Sequence, residues 1–224
     1  MARFNRLHVY QNLLAIPLLP LFYNNDIEVC KSVLKACYKA GVRSFEMTNR
    51  GDFAHEVFAE LVRVSAKEYP EMVLGAGTIM DTGTAALYIQ LGADFIVSPN
   101  FNPEIAKVCN RRKIAYMPGC ATLTEVSNAE EWGVEIVKLF PGDGLSPKFV
   151  KGLKGPMPWS KVLITGGVEP TQESLAAWFD AGADAVGIGS SLLTKEILNN
   201  QNWTALEDRV AGAVQIINSL KLVK

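Results

Sequence analysis

The sequence contains few of the side chains from which proteins build metal sites. It has two histidines, His8 and His55, and four scattered cysteines without any C-x-x-C pair. A zinc site needs several such ligands at characteristic spacings. Cys30 and Cys37 lie two turns apart on one face of a predicted helix, where a small buried hydrophobic residue is the expected role. The sequence therefore predicts no metal site built from its own side chains.

An excess of charge of one sign is also missing, as are long hydrophobic runs. Lys and Arg number 22 against 23 Asp and Glu, and no basic cluster occurs, so nucleic acid and anionic membranes are poor partners. No apolar run approaches the roughly 18 residues of a membrane span. Pro17 and Pro20 interrupt the apolar part of the N-terminus, which lacks the layout of a signal peptide. We expect a soluble, cytoplasmic protein with no nucleic-acid or membrane partner.

What the sequence does have is a high apolar content and a repeated glycine signal. Hydrophobic residues make up 49% of the chain and charged residues 20%, which is enough for a large core. At Gly41, Gly92, Gly133 and Gly182 an amphipathic segment ends in glycine and an apolar run follows. Because glycine just past a helix end adopts the left-handed conformation, each position marks a helix-to-strand junction. This alternation of helices and strands predicts a parallel sheet.

Eight apolar runs are predicted to be strands, and a predicted helical segment follows each one. The predicted strands cover residues 13–21, 43–49, 72–78, 95–98, 114–117, 134–143, 162–165 and 185–188. The predicted helices cover residues 26–40, 54–67, 85–91, 102–112, 149–153, 171–181 and 203–220. One more helix, between the fifth and sixth strands, begins with a capping box at 122–125. Eight such units in 224 residues predict a (β/α)8 TIM barrel, with residues 1–224 as a single domain. A doubly wound open sheet is the alternative.

Lys138 lies in the middle of the sixth apolar run, where an ammonium group is costly to bury. One interpretation is structural: the lysine reaches the end of the strand or pairs with a buried carboxylate. The other is chemical: desolvation lowers the pKa of the amine, so that it can attack a carbonyl and form a Schiff base. The sequence around Lys138 allows both.

The period of a strand places Glu46 and Lys138 on the same side of the predicted sheet. If Phe45 and Met47 face the helices, Glu46 faces the barrel axis, and the same alternation turns Lys138 inward. The pair is then either a buried salt bridge or a nucleophile beside a proton-transfer group. Arg50 follows at the end of the same strand, where its donor fork suits a carboxylate, unless it is only a solvated surface arginine.

Glycine-rich turns follow the seventh and eighth predicted strands. Thr165-Gly166-Gly167 ends the seventh, and the run from Gly187 to Ser191 ends the eighth. Turns at these places in a barrel often lead into helix N-termini and hold a phosphate. The two turns together predict a phosphate-binding end of the site.

Six short motifs between about Ala15 and Leu193 carry a resemblance to a known family. They are GVRSFEMTNR at 41–50, GAGT at 75–78, SP at 98–99, PG at 118–119, VKLFP at 137–141 and TGG at 165–167. Together they resemble the motifs of the 2-keto-3-deoxy-6-phosphogluconate (KDPG) and 4-hydroxy-2-oxoglutarate (KHG) aldolases. The resemblance implies a cofactor-free homotrimer whose small-molecule substrate is a 2-oxoacid.

The resemblance also implies a role for each matching residue. Lys138 corresponds to the Schiff-base lysine and Glu46 to the general acid/base. The expected substrate-binding residues are Arg50 and Thr78 at the pyruvyl carboxylate, Pro99 and Phe140 along the pocket, and Thr165, Gly166, Gly167, Ser190 and Ser191 at the phosphate end. Two departures concern the aldehyde side. The Arg that many members carry near the end of the first strand is absent, and Ser190 stands where some relatives have glycine.

The implied activity is class I cleavage of a 4-hydroxy-2-oxoacid, namely KDPG, KHG or both. The products are pyruvate and an aldehyde, either glyceraldehyde 3-phosphate or glyoxylate. Two other functions suit a barrel with a phosphate-binding end: a phosphosugar isomerase or epimerase, and a barrel that only binds a phosphorylated metabolite, with Lys138 as an electrostatic anchor.

Overall fold

Eight parallel strands close into a barrel in the computed structural model, which describes residues 2–222. The strands are β1 Leu18–Phe22, β2 Ser44–Thr48, β3 Val73–Gly77, β4 Phe95–Ser98, β5 Ala115–Cys120, β6 Val137–Leu139, β7 Val162–Thr165 and β8 Ala185–Ile188. Pairing of β1 with β8, in which Leu19 lies opposite Gly187, completes the ring. The predicted (β/α)8 fold is confirmed, and the doubly wound open sheet is wrong.

Helices follow every strand, and one more precedes the barrel. They are α1 Arg6–Ala15, α2 Ile27–Lys39, α3 Ala54–Glu68, α4 Thr82–Leu91, α5 Pro103–Arg112, α6 Leu123–Glu131, α7 Pro147–Lys154, α8 Gln172–Asp180, α9 Lys195–Asn199 and α10 Trp203–Leu222. The predicted capping box is present, because Thr122 and Glu125 bond each other's backbone at the start of α6. No helix within residues 2–222 is long and apolar enough to cross a membrane.

The four predicted glycine junctions are confirmed. Gly41, Gly92, Gly133 and Gly182 have φ angles of 95°, 107°, 77° and 105°, in the left-handed region that favours glycine. Each lies between a helix and the strand that follows it. The glycine pattern therefore located the helix ends correctly.

The first predicted strand is partly wrong, because residues 13–15 belong to α1. Val9 and Leu13 are one helical turn apart and buried, and Asn5 caps the helix by accepting a 2.9 Å hydrogen bond from the backbone N–H of His8. A short apolar run cannot by itself distinguish a helix from a strand. Helix α1 closes the N-terminal end of the barrel, where the Tyr10 hydroxyl accepts a 3.2 Å hydrogen bond from the Tyr116 N–H.

Two cores flank the strands. Phe45 and Met47 belong to the larger core between the sheet and the outer helices. The smaller core fills the N-terminal half of the barrel beneath the C-terminal mouth, and α1 packs against it. It contains Ile136, just before β6, and the strand residues Leu19, Val73, Phe95, Val97, Ala115, Met117, Leu163 and Ala185. Ile136 thus faces inward, as the predicted alternation on the sixth strand requires.

The strands beside Lys138 differ in length from their predictions. β6 contains only Val137–Leu139 instead of 134–143, because Pro141 has no N–H for the ladder and the Val134 N–H bonds back to Ala129. β5 instead extends past 117 to Cys120, with Pro118 opposite Ser98 on β4. This extension places Gly119 opposite Lys138.

Two aspartates, the buried Asp94 and the partly buried Asp184, link neighbouring strands at the N-terminal end of the barrel. The Asp94 carboxylate accepts a 3.0 Å hydrogen bond from the Leu74 N–H at the start of β3, and the Asp94 N–H donates to the Leu74 carbonyl. Asp184 makes the same two bonds with Val162 of β7, where its carboxylate accepts at 2.9 Å. β3 and β7 are therefore each anchored at their base by the residue that precedes the next strand.

Candidate active site

Glu46 and Lys138 are buried on the inner face of the barrel near its C-terminal mouth. Glu46 is 1% exposed and lies opposite Gly75, while Lys138 is 4% exposed and lies between Gly119 and Leu163. Among the described residues, no ion pair within 4.0 Å includes either side chain. The two groups share one low-dielectric space without the direct contact of a closed salt bridge.

Burial lowers the pKa of the Lys138 amine below its ordinary value of 10.5. The positive charge of Arg50 acts in the same direction, and the Glu46 carboxylate opposes both. The Lys138 Nζ also lies 4.8 Å from the centroid of the Phe140 ring. Lowering the pKa increases the fraction of neutral amine, which is the nucleophilic form.

Burial also raises the pKa of Glu46 above 4.5, against the opposing influence of Lys138 and Arg50. Its Oε2 atom is buried and has no hydrogen-bond partner among the described residues. A carboxyl group with a raised pKa exchanges protons closer to neutral pH. The chemistry that this pair can perform is nucleophilic attack with proton transfer beside it.

Arg50 is exposed, yet it is held at the mouth. Its Nε donates a 3.1 Å hydrogen bond to the Thr78 hydroxyl, and Thr78 has a φ of 60°. The preceding residue, Asn49, donates from its N–H to the Gly77 carbonyl at 2.8 Å and accepts a 2.9 Å bond from the Tyr88 hydroxyl. Arg50 is therefore more than a solvated surface side chain.

A cavity of about 490 Å³ opens at the mouth beside this pair. It brings together seven of the predicted residues: Arg50, Phe140, Thr165, Gly166, Gly167, Ser190 and Ser191. Lys138, Glu46, Thr78 and Pro99 are absent from its wall. Thr78 joins the site through Arg50, whereas Pro99 lies against β5, since a methyl group on Gly119 would come within 2.0 Å of the Pro99 carbonyl oxygen.

The predicted phosphate end is formed by two adjoining turns. Gly166 and Gly167 have φ angles of 90° and 66°. The buried Thr165 hydroxyl, which ends β7, has no hydrogen-bond partner among the described residues. The Ser191 hydroxyl instead donates to the Val168 carbonyl at 2.8 Å, so this side chain joins one turn to the other.

Four residues with polar or charged side chains in the cavity wall were not predicted as site residues. Thr48 shares the inner face of β2 with Glu46, a relationship that the strand period did indicate. Tyr23 follows β1, and a methyl group on Gly51 would come within 2.4 Å of its hydroxyl oxygen. Glu169 and Lys195 bring one charge of each sign to the rim. Lys195 was missed because the short helix α9, which it begins, was not predicted.

Within residues 2–222, no three His, Cys, Asp or Glu side chains come together as a cation site. The four cysteines are unpaired and buried.

A profile of the KDPG and KHG aldolases matches residues 9–209. The chain belongs to this family. The predicted family and enzyme class, an aldolase that acts as a carbon–carbon lyase, are confirmed.

Several characterised proteins are similar to this chain. The 2-dehydro-3-deoxy-6-phosphogalactonate aldolase of Escherichia coli K12 is 36% identical over 121 residues, which cover 54% of this chain and 58% of that enzyme. The 2-dehydro-3-deoxy-phosphogluconate aldolase of Haemophilus influenzae is 28% identical over 205 residues, covering 90% and 92%. A solved structure, native KDPGal, superposes with a TM-score of 0.83 at 26% identity, covering 92% of this chain and 96% of that one.

Proposed function

We propose that Lys138 forms a Schiff base with a 4-hydroxy-2-oxoacid and that Glu46 transfers the protons of its cleavage. The observation that carries this proposal is a buried lysine with a lowered pKa at the C-terminal mouth of the barrel, beside a buried carboxyl group with a raised pKa. Barrel enzymes place their chemistry at this end. A barrel that only binds a metabolite would need Lys138 charged, as an electrostatic anchor, whereas burial here favours the neutral amine.

The proposed reaction begins when the neutral Lys138 amine attacks C2 of the substrate. Glu46 protonates the departing hydroxyl group as water leaves and the imine forms. Glu46 then takes the C4 hydroxyl proton, and the electrons of the C3–C4 bond move into the protonated imine. The aldehyde leaves, the remaining enamine is protonated at C3, and water releases pyruvate from Lys138.

Arg50 and Thr78 suit the carboxylate of the pyruvyl half. The Thr78 hydroxyl accepts a hydrogen bond from the Arg50 Nε, so its own proton is available to an anion. The two terminal guanidinium nitrogens can then form the paired bonds that a carboxylate accepts. In this assignment Phe140 borders the reacting carbons, and Pro99 supports the mouth from β4.

The substrate we propose is a phosphorylated six-carbon acid, with KHG as a shorter second substrate. The cavity extends from Arg50 to the turns at Gly166–Gly167 and Ser190–Ser191, and Lys195 adds a positive charge there. Both relatives named above act on 2-dehydro-3-deoxy phosphosugar acids. A cofactor-free homotrimer, which rests on the sequence motifs, and a cytoplasmic location complete the proposal.

Reduction with borohydride in the presence of pyruvate tests the Schiff base. We expect a covalent three-carbon label on Lys138, located by mass spectrometry of peptides, and loss of activity. Lys195→Met is the matched control, because Lys195 also lines the cavity, and this variant should be labelled like the unaltered protein. A label on another lysine, or the absence of any label, contradicts the proposal.

A further inference from the structure

The Glu46 carboxyl group lies directly over the backbone of β3. A methyl group placed on Gly77 would come within 1.7 Å of the Glu46 Oε1, 2.5 Å of its Cδ and 2.8 Å of its Cγ. Ordinary contacts of such a methyl group begin near 3.4 Å. The space that a side chain at residue 77 would occupy is therefore filled by the Glu46 side chain.

The backbone at Gly77 does not itself require glycine. Gly77 is the last residue of β3, pairs with Thr48 of β2, and is not among the glycines with positive φ. An alanine there could adopt the same strand conformation. What the glycine provides is room on the inner face of the barrel.

Hydrogen bonding does little to fix the Glu46 carboxyl group. Its Oε2 has no partner, and no hydrogen bond from another described side chain reaches it. Because the residue is 1% exposed, water does not surround it either. The position of the group is thus determined mainly by the shape of the space in which it packs.

We infer that Gly77 is a positioning residue for Glu46. By leaving its own side-chain space empty, Gly77 lets the carboxyl group lie across β3 and face the interior that Lys138 shares. The inference rests on the proposed acid/base role of Glu46, since the functional value of this position depends on the proton transfer. Gly77 itself touches no reacting atom in this assignment.

Gly75 provides a matched control on the same strand and the same face. The three atoms nearest to a methyl group on Gly75 would all belong to the Phe95 ring, the first at 2.1 Å, whereas those nearest to one on Gly77 belong to Glu46. Alanine at residue 75 should therefore disturb the inner core, whereas alanine at residue 77 should disturb Glu46. The two variants separate general crowding of the barrel from displacement of one carboxyl group.

The first test measures stability and needs no catalysis. Gly77→Ala should lower Tm, or prevent folding, while Gly77→Ala/Glu46→Ala should recover the Tm of Glu46→Ala, because the shortened side chain no longer occupies the space. Gly75→Ala should lower Tm equally with Glu46 present or absent. If Gly77→Ala is as harmful in the Glu46→Ala background, or if that double variant does not fold, the inference is wrong.

The second test measures kcat for pyruvate release. We expect Gly77→Ala, produced under conditions where it is folded, to lose activity toward the level of Glu46→Gln, a loss of roughly 10²–10⁴-fold. Adding Gly77→Ala to Glu46→Gln should cause no further loss, because the group that it displaces is already inactive. If the loss of kcat in the double variant equals the product of the two single losses, Gly77→Ala acts on something other than Glu46, and the inference is overturned.

The two tests distinguish this inference from the proposed function. Recovery of Tm together with near-normal activity of Glu46→Gln would support the contact and contradict the acid/base role. An inactive Glu46→Gln together with no recovery of Tm would contradict the contact alone.

Discussion

Arg50 and Thr78 come from two different strand ends and meet through one hydrogen bond, 3.1 Å from the Arg50 Nε to the Thr78 Oγ1. The bond uses the nitrogen nearest the side-chain stem. The guanidinium group is therefore oriented by Thr78, while its two terminal nitrogens make no hydrogen bond or ion pair with the described residues. This arrangement assigns the two residues a single task at the mouth of the barrel.

Thr78→Val should weaken binding of the 2-oxoacid without removing the chemistry. We expect KM to rise about three- to tenfold, because hydrogen bonds to charged groups contribute on the order of 1.5 kcal/mol and this one is partly screened by solvent. The value of kcat should change less. Steady-state kinetics of pyruvate release measure both, and Thr78→Ser, which keeps the hydroxyl, should behave like the unaltered protein. A fall in kcat with constant KM would place Thr78 in the bond-breaking step instead.

Glu46→Gln should retain the fold and lose cleavage. A positioned acid/base typically contributes roughly 10²–10⁴-fold to the rate, so kcat should fall within that range. Ser44→Ala alters the same face of β2 one layer further from the mouth, where Asn12 bonds Ser44, and should leave kcat nearly unchanged. Near-normal turnover of Glu46→Gln would mean that another group transfers the protons.

The same variant should be more stable than the unaltered protein at neutral pH. Because the pKa of Glu46 is raised in the folded state, the folded protein binds this proton more tightly than the unfolded chain does. The contribution of Glu46 to stability is therefore largest below pH 4.5 and is lost as the pH rises from 4.5 through the raised pKa. Glutamine cannot ionise, so the Tm difference in favour of Glu46→Gln should grow over this range.

Thermal unfolding between pH 4.5 and 7 measures this difference. Glu131→Gln, at an exposed position at the end of α6, is the control and should show no such trend. A Tm difference that is constant with pH, or that favours the unaltered protein at pH 7, would contradict the prediction that ionising Glu46 inside the barrel lowers stability.

A negative charge at Ser190 should distinguish the phosphate end from the reacting end. Ser191 is unsuited to this change because its hydroxyl joins the two turns, whereas Ser190 is exposed and lines the cavity. Two like charges about 4 Å apart repel by about 1 kcal/mol in water and about 4 kcal/mol near a protein surface. Ser190→Asp should therefore raise KM for a 6-phosphorylated substrate roughly fivefold or more.

The same variant should alter KM for KHG little, since KHG carries no phosphate. Ser190→Asn, which has the same size and no charge, is the control. Equal impairment with both substrates would show that Ser190 is only structural, and no impairment with either would show that no phosphate binds between these turns.

The fold could be predicted largely because its signals are local. Gly92 and Gly182 end helices through their own backbone conformation, and the runs at 95–98, 162–165 and 185–188 match their strands residue for residue. The prediction failed where contacts between residues distant in sequence determine the structure. Helix α1 bonds Tyr116 of β5, which is 106 residues away from Tyr10 in the sequence, and β6 is shortened by bonds that its flanking residues make with Ala129 and Thr165.

The site was predictable where strand alternation determines direction, as for Glu46 and Lys138. Tyr23 and Lys195 lie on connections after the strands, so no periodicity indicates which way they face. Gly77 shows a further limit. In the sequence, a glycine at this position suggests a turn. In the structure Gly77 is a strand residue, and Glu46 occupies the space that a side chain at residue 77 would fill.

The two aspartates at the base of the barrel have a consequence for selectivity. β3 leads into Thr78, which holds Arg50 at one end of the cavity, and β7 leads into Gly166–Gly167 at the other end. Asp94 and Asp184 therefore anchor the strands that position the two ends. Neither strand can slide along the barrel without breaking a hydrogen bond to a carboxylate. The distance between the proposed carboxylate and phosphate ends of the cavity is then fixed by the barrel. We expect the protein to discriminate among acceptor aldehydes by their length, at little cost in reorganisation when the matching one binds.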